Sequence, residues 1–205
     1  MASGFISQLP KGEQQQLLDD LNYLNISEIK SFCNRHSIPY RIAIETKDGR
    51  RRMTRDDDRK GVMLDRVRHF LQTGAVLEET CFRAPVVCFD QLSDHITADD
   101  RLFYGQYDKT NRTMIALLKS LTDGQFENGA IARILAREFW SSGKAPTFRE
   151  YASAWIQASR EHLRPNPEWA FLSDRANKMA VPDWKKLRAQ KASKVIRILN
   201  QITSR

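Results

Sequence analysis

Apolar residues recur at a helical period over most of the chain. Ile26, Ile29, Phe32 and Cys33 recur at helical spacing and give a single apolar face. Asn25 precedes this run and Glu28 stands three residues later. That spacing predicts a capping box, in which each side chain accepts the other residue's backbone N–H. Pro39 ends the helix by about Ser37, because the residue before a proline is pushed out of the α region. Met63, Leu64, Val67, Phe70 and Leu71 mark a second helix that stops near Gly74. It opens just after Asp56, Asp57 and Asp58, where a carboxylate suits the free N–H groups and the positive end of the helix dipole. A short lead-in helix carries Leu17, Leu18 and Leu21, with Asp19 and Asp20 on its polar side.

Between these helices lies an 18-residue insert, Arg41 to Asp58. RIAIET and RRRMT flank Lys47, Asp48 and Gly49, and Asp-Gly marks a hairpin turn because glycine accepts positive φ. The prediction is a β-hairpin with Ile42 and Ile44 on one face and Arg50, Arg51 and Arg52 on the return strand. Such a ribbon is narrow enough to enter a DNA groove. The alternative is a solvated hairpin whose arginines pair with Asp56, Asp57 and Asp58.

Beyond the second helix the pattern changes. Val86, Val87, Cys88 and Phe89 form an apolar run too short to distinguish a strand from a packed linker. Helical spacing returns over residues 110–121, 129–140, 147–162 and 168–179, and a last helix follows Pro182. Thr147 and Glu150 repeat the capping-box spacing. The expected class is mainly α, with residues 1–80 forming a module with its hairpin, 81–97 a linker and 98–205 an α-helical bundle domain.

Two stretches, NISEIKSFCNRHSIP and RKGVMLDRV, together resemble the SAP domain, a small helix–extended–helix module that binds DNA. Lys60 stands at the family's lysine position, Leu64 at an apolar position and Arg66 at its common arginine. Ser37 occupies the place where the family usually has glycine, and the insert replaces a very short link. The resemblance implies binding to DNA, with Lys60 and the arginines around the insert (Arg41, Arg50, Arg51, Arg52 and Arg59) as donors to phosphate.

Charge adds a second basic region. The net charge is +8. Residues 1–80 carry 13 Lys/Arg against 12 Asp/Glu, and residues 81–205 carry 20 against 13. Much of the excess lies in the last helix. There Trp184, Leu187, Val195, Ile198, Leu199 and Ile202 share an apolar arc, while Lys186, Lys194 and Arg197 lie opposite and Lys185 adds a further charge. Arg188 and Lys191 fall inside the apolar arc, where long basic stems snorkel at the rim. A basic protein attracts polyanions by counterion release.

Catalytic patterns are poor. His36, His69, His95 and His162 have no zinc-site spacing, and there is no P-loop, dinucleotide fingerprint or nucleophile elbow. The three adjacent aspartates could hold Mg²⁺, but capping a helix is the more ordinary use. Cys33, Cys81 and Cys88 make no disulfide framework and suit a reducing compartment. No secretory leader or membrane-spanning stretch is visible. Trp140, Tyr151, Trp155 and Trp169 read as core, and Phe103, Tyr104 and Tyr107, near Arg101 and Lys109, as a candidate partner surface. The sequence therefore points to a cytoplasmic, non-enzymatic DNA-binding protein without cofactors, duplex favoured. Its C-terminal helical domain would add basic surface or dock a protein. The alternative is a helical adaptor that uses the SAP-like fold to bind protein.

Overall fold

The computed structural model describes residues 4–161 and 184–204, with side chains in the last segment from Lys186 onward. The predicted helix at 168–179, together with His162, Pro165, Pro167, Trp169, Pro182 and the Trp184 and Lys185 side chains, lies outside the described residues. The described chain is mainly helical. Its helices are α1 (Lys11–Asp20), α2 (Ile26–Arg35), α3 (Lys60–Thr73), α4 (Arg112–Ser120), α5 (Ala130–Ser141), α6 (Phe148–Glu161) and α7 (Trp184–Thr203). The strands β1 (Arg41–Glu45), β2 (Arg51–Asp57) and β3 (Cys81–Phe82) form one small sheet.

Two compact units share the chain. The first is Met1–Tyr40, Asp58–Glu79 and Arg164–Arg205; the second is Arg41–Asp57 and Thr80–Leu163. This partition differs from the expected 1–80, 81–97 and 98–205. The insert belongs with the later helices, because Ile42 and Ile44 are buried in their core. The stretch expected as a linker contributes β3 and the buried Val86 and Val87 to that core. Conversely, Val195, Leu199 and Ile202 of α7 are buried with the N-terminal helices.

In the first unit the predicted caps form. Asn25 accepts the Glu28 N–H (2.8 Å) and Glu28 accepts the Asn25 N–H (2.7 Å). Phe5, Phe32, His36 and Phe70 make an aromatic group, with His36 4.5 Å from Phe32 and 5.2 Å from Phe70 between ring centres. Burial, then the neighbouring Arg35 charge, lowers the His36 pKa. Burial pushes the Cys33 thiol up to about 11, which leaves it protonated and inert. α2 ends in a left-handed residue, Ser37 (φ 54), and the Ile38 N–H returns to the Cys33 carbonyl (2.9 Å). This is a Schellman closure built on serine, although its left-handed position favours glycine. Ser37→Gly should therefore raise stability by about 0.5–1 kcal/mol. A urea-midpoint shift measured by circular dichroism checks it, and a drop in the midpoint would contradict it.

The chain leaves the first unit at Tyr40 and re-enters at Asp58, whose N–H donates to the Tyr40 carbonyl (2.7 Å). Asp58 was expected as a helix cap, but Arg59 takes the N-cap position without a side-chain bond. Asp58 is instead buried against Arg66, Oδ2 to Nη1 at 2.7 Å. The Arg66 guanidinium also donates to the Pro39 (3.1 Å) and Glu78 (3.1 Å) carbonyls. Asp20, expected on a polar face, is buried too and pairs with Lys191 (3.0 Å).

In the second unit the strand order is β2-β1-β3, with β1 antiparallel to β2 and parallel to β3. β1 is the middle strand, so Ala43 is buried along with Ile42 and Ile44. The predicted turn forms: Gly49 has φ 78, its N–H donates to the Thr46 carbonyl (2.9 Å), and Thr46 N–H donates to Arg50 (2.9 Å). Register shifts between Arg41 and Ala43, where β2 bulges. Thr54 stitches the bulge, donating to the Ile42 carbonyl (2.8 Å) and accepting the Asp56 N–H (3.1 Å). Helices α4, α5 and α6 bury Met114, Leu118, Trp140, Tyr151 and Trp155 in the same core as Phe82. The Thr147/Glu150 capping box is present, at 3.1 and 2.8 Å.

Candidate nucleic-acid interface

The hairpin presents its arginines on an edge. β2 pairs on one side only, and Arg51, Arg52 and Arg55 are exposed along it. Arg41, at the start of β1, and Arg50, beside the turn, are exposed as well. Arg50 carries an ion pair with Asp48 (3.2 Å), but its side chain remains 86% exposed. Charges on an edge strand also discourage pairing with another chain. Arg55 was not singled out from the sequence; its place in RRRMTR was the available signal. The hairpin does not stand free, since β1 is covered on its other edge by β3. At Ala43 and Ile44, where β3 pairs with β1, the ribbon is three strands wide. The outer edge of β2 and the turn are what a partner could touch.

The expected pairing of these arginines with the aspartate run is not how Asp56 and Asp58 are used. Asp56 accepts the Tyr104 hydroxyl (2.7 Å), and Asp58 belongs to Arg66. Among the described residues no group of three or more acidic, histidine or cysteine side chains is placed to hold a metal ion.

The remaining predicted cations lie in the first unit. Lys186, Lys194 and Arg197 are exposed on α7, opposite the buried Val195, Leu199 and Ile202. Arg188 and Lys191 do not snorkel freely. Arg188 meets Glu28 and donates to the Tyr23 carbonyl (2.9 Å), and Lys191 holds Asp20. These pairs neutralise the two cations nearest the apolar arc. Arg59 and Lys60 are half-buried at the start of α3, and the Lys60 ammonium donates to the Asn22 carbonyl (2.6 Å).

The second unit also contains a cavity of about 310 Å³. Tyr104 and Tyr107, from the aromatic cluster noted in the sequence, line it, together with Phe89, Trp140, Arg133 and Arg137. Trp140 is buried, as its apolar neighbours suggested, while one side of it still reaches this wall. Desolvation, followed by the hydrogen bond to Asp56, raises Tyr104 to about 12, so its hydroxyl stays a donor. Arg133 and Arg137 were missed because they sit among apolar residues of a helix and read as its polar face. Among the described residues, no helix is long and apolar enough to cross a membrane. Compared with known protein families, with curated proteins and with solved structures, the chain matches none of them.

Proposed function

We propose that the chain binds duplex DNA through the phosphate backbone, without acting on it, using the exposed hairpin arginines of its second unit. The observation that carries this reading is where the charge lies. Residues 80–163 hold 10 Lys/Arg and 10 Asp/Glu, whereas 41–57 hold 6 against 4. The whole excess of the second unit is therefore on the hairpin. Glu45 pairs with Arg83 (3.5 Å), Asp48 meets Thr46 and Arg50, and Asp56 accepts the Tyr104 hydroxyl, so these acids are already engaged. The exposed Lys186, Lys194 and Arg197 give the first unit its own cationic face. Contacts of this kind position a protein on the duplex and carry little sequence information.

The SAP-like reading of the first unit is part of the proposal. Supporting it, α2 closes on Ser37, which is left-handed where that family usually has glycine, and Ile38 and Pro39 follow before the chain passes into β1. Arg66, at the family's common arginine, is taken up by Asp58 and cannot serve a phosphate here. Lys60, at the family's lysine position, is half-buried and donates to the Asn22 carbonyl. The unpaired cysteines Cys33, Cys81 and Cys88 suit a cytoplasmic setting.

Fluorescence anisotropy with a labelled duplex of about 25 base pairs and its matching single strand, over a salt series, tests the proposal. We expect tighter binding to duplex and a log–log salt slope of about −3 to −5, since each neutralised phosphate contributes about −0.9. Failure to bind either form at low salt would remove this function and leave the adaptor reading.

A further inference from the structure

We propose that the cavity of the second unit is a nucleotide site, holding a nucleobase among its aromatic rings and the attached phosphate on its cations. The inference goes beyond DNA binding by the hairpin and does not use the hairpin arginines. At about 310 Å³ the cavity falls in the range of small-molecule sites. Its wall combines three kinds of group that a nucleotide uses together.

The first is aromatic surface. Phe89, Tyr104, Tyr107 and Trp140 line the cavity. Phe89 is 63% exposed and meets Tyr104 at 6.0 Å and 79°, so most of its ring is open to a stacking partner. Gly105 makes this wall possible. It has φ +99, and a Cβ there would lie 2.4 Å from the Cys88 oxygen and 2.8 Å from Phe89 Cδ1. A side chain would push the two segments apart and separate Phe89 from Tyr104.

The second group is an acceptor. Asp56 takes the Tyr104 hydroxyl on Oδ2, which leaves Oδ1 for the exocyclic amine of adenine or cytosine. The third is positive charge. Lys109 and Arg133 are exposed on the wall, and Arg137 is fixed beside them by its bond to the Asp57 carbonyl (3.0 Å). Asp108, the wall's other carboxylate, accepts the Thr110 N–H (2.8 Å) and hydroxyl (2.7 Å). Ring stacking, an amine acceptor and a guanidinium for phosphate select a nucleotide over a bare anion or a bare aromatic.

Isothermal titration of the full chain with AMP, CMP, UMP, adenosine and ribose 5-phosphate tests the site. AMP and CMP should bind, and adenosine and ribose 5-phosphate at least about tenfold more weakly, because each lacks one of the recognised parts. UMP, without an exocyclic amine, should bind several-fold more weakly, and Asp56→Asn should remove that difference. Phe89→Ala and Arg133→Glu should each weaken AMP about tenfold with an unchanged melting temperature. A 5′-phosphorylated oligonucleotide that binds tighter than AMP assigns the site to a strand end, and equal affinity assigns it to free nucleotide. No heat with any nucleotide up to about 5 mM, or binding indifferent to Phe89→Ala and Arg133→Glu, would overturn the site. Duplex binding can fail without touching this result, since a chain lacking the hairpin charges should still bind AMP.

Discussion

Arg66→Ala should cost the first unit about 3–5 kcal/mol, enough to unfold it or bring it close to unfolding at room temperature. The side chains of Arg66 and Asp58 are 5% and 4% exposed, so removing one leaves an uncompensated charge in the interior. The loss extends past the pair. Arg66 also satisfies the carbonyls of Pro39 and Glu78, each one residue before a point where the chain leaves the first unit, after Tyr40 and after Glu79. One guanidinium thus holds the exit at Pro39, the return at Asp58 and the second exit at Glu78. Asp58→Ala should be comparably harmful. Replacing both with apolar residues of similar volume should recover much of the loss, because no buried charge then remains. Urea unfolding of the four proteins, followed by circular dichroism, gives the coupling energy. A single-variant cost below about 1 kcal/mol would show that water reaches the pair and that the clasp is not structural.

The second large effect concerns binding. Changing Arg50, Arg51, Arg52 and Arg55 together to Glu should weaken duplex affinity on the order of 100-fold or more at low salt, and flatten the salt slope by about 3–4. The change replaces four attractive charges with repulsive ones. Folding should be little affected, because all four side chains are exposed on an edge strand or its turn. The matching Arg→Lys variant separates charge from geometry. It should keep most of the affinity, since a phosphate-only contact needs a point charge rather than a guanidinium fork. Glu at Lys186, Lys194 and Arg197 supplies the comparison in the other unit. Unchanged affinity in the hairpin variant, with loss in the α7 variant, would move the interface to the first unit.

What the sequence legibly carried was local. The Asn25/Glu28 and Thr147/Glu150 caps, the Gly49 turn and the Gly74 stop all form as their spacing predicts. Each is closed by groups within a few residues, so its energetics are contained in the window being read. Helix periodicity was equally legible, because one apolar face per helix is required whatever covers it.

Which unit each element joined was decided only in three dimensions. The hairpin turn is local, but burial of β1 depends on β3 and on helices about 70 to 120 residues later. The partners of the charges were equally remote: Arg188 finds Glu28 and Lys191 finds Asp20, each more than 150 residues away in the chain. Asp56, Asp57 and Asp58 read as one acidic run, yet Asp56 serves Tyr104 and Asp58 serves Arg66. The cavity of the second unit likewise gathers Asp56, Phe89, Tyr104 and Arg133 from four separate segments. Hydrogen-bond geometry within a turn is fixed by neighbouring residues, whereas burial and charge pairing depend on whatever surface the folded chain brings alongside. For that reason the sequence determined the described helices, the two capping boxes and the hairpin turn, and only the tertiary structure decided which charges face solvent and which hold the fold.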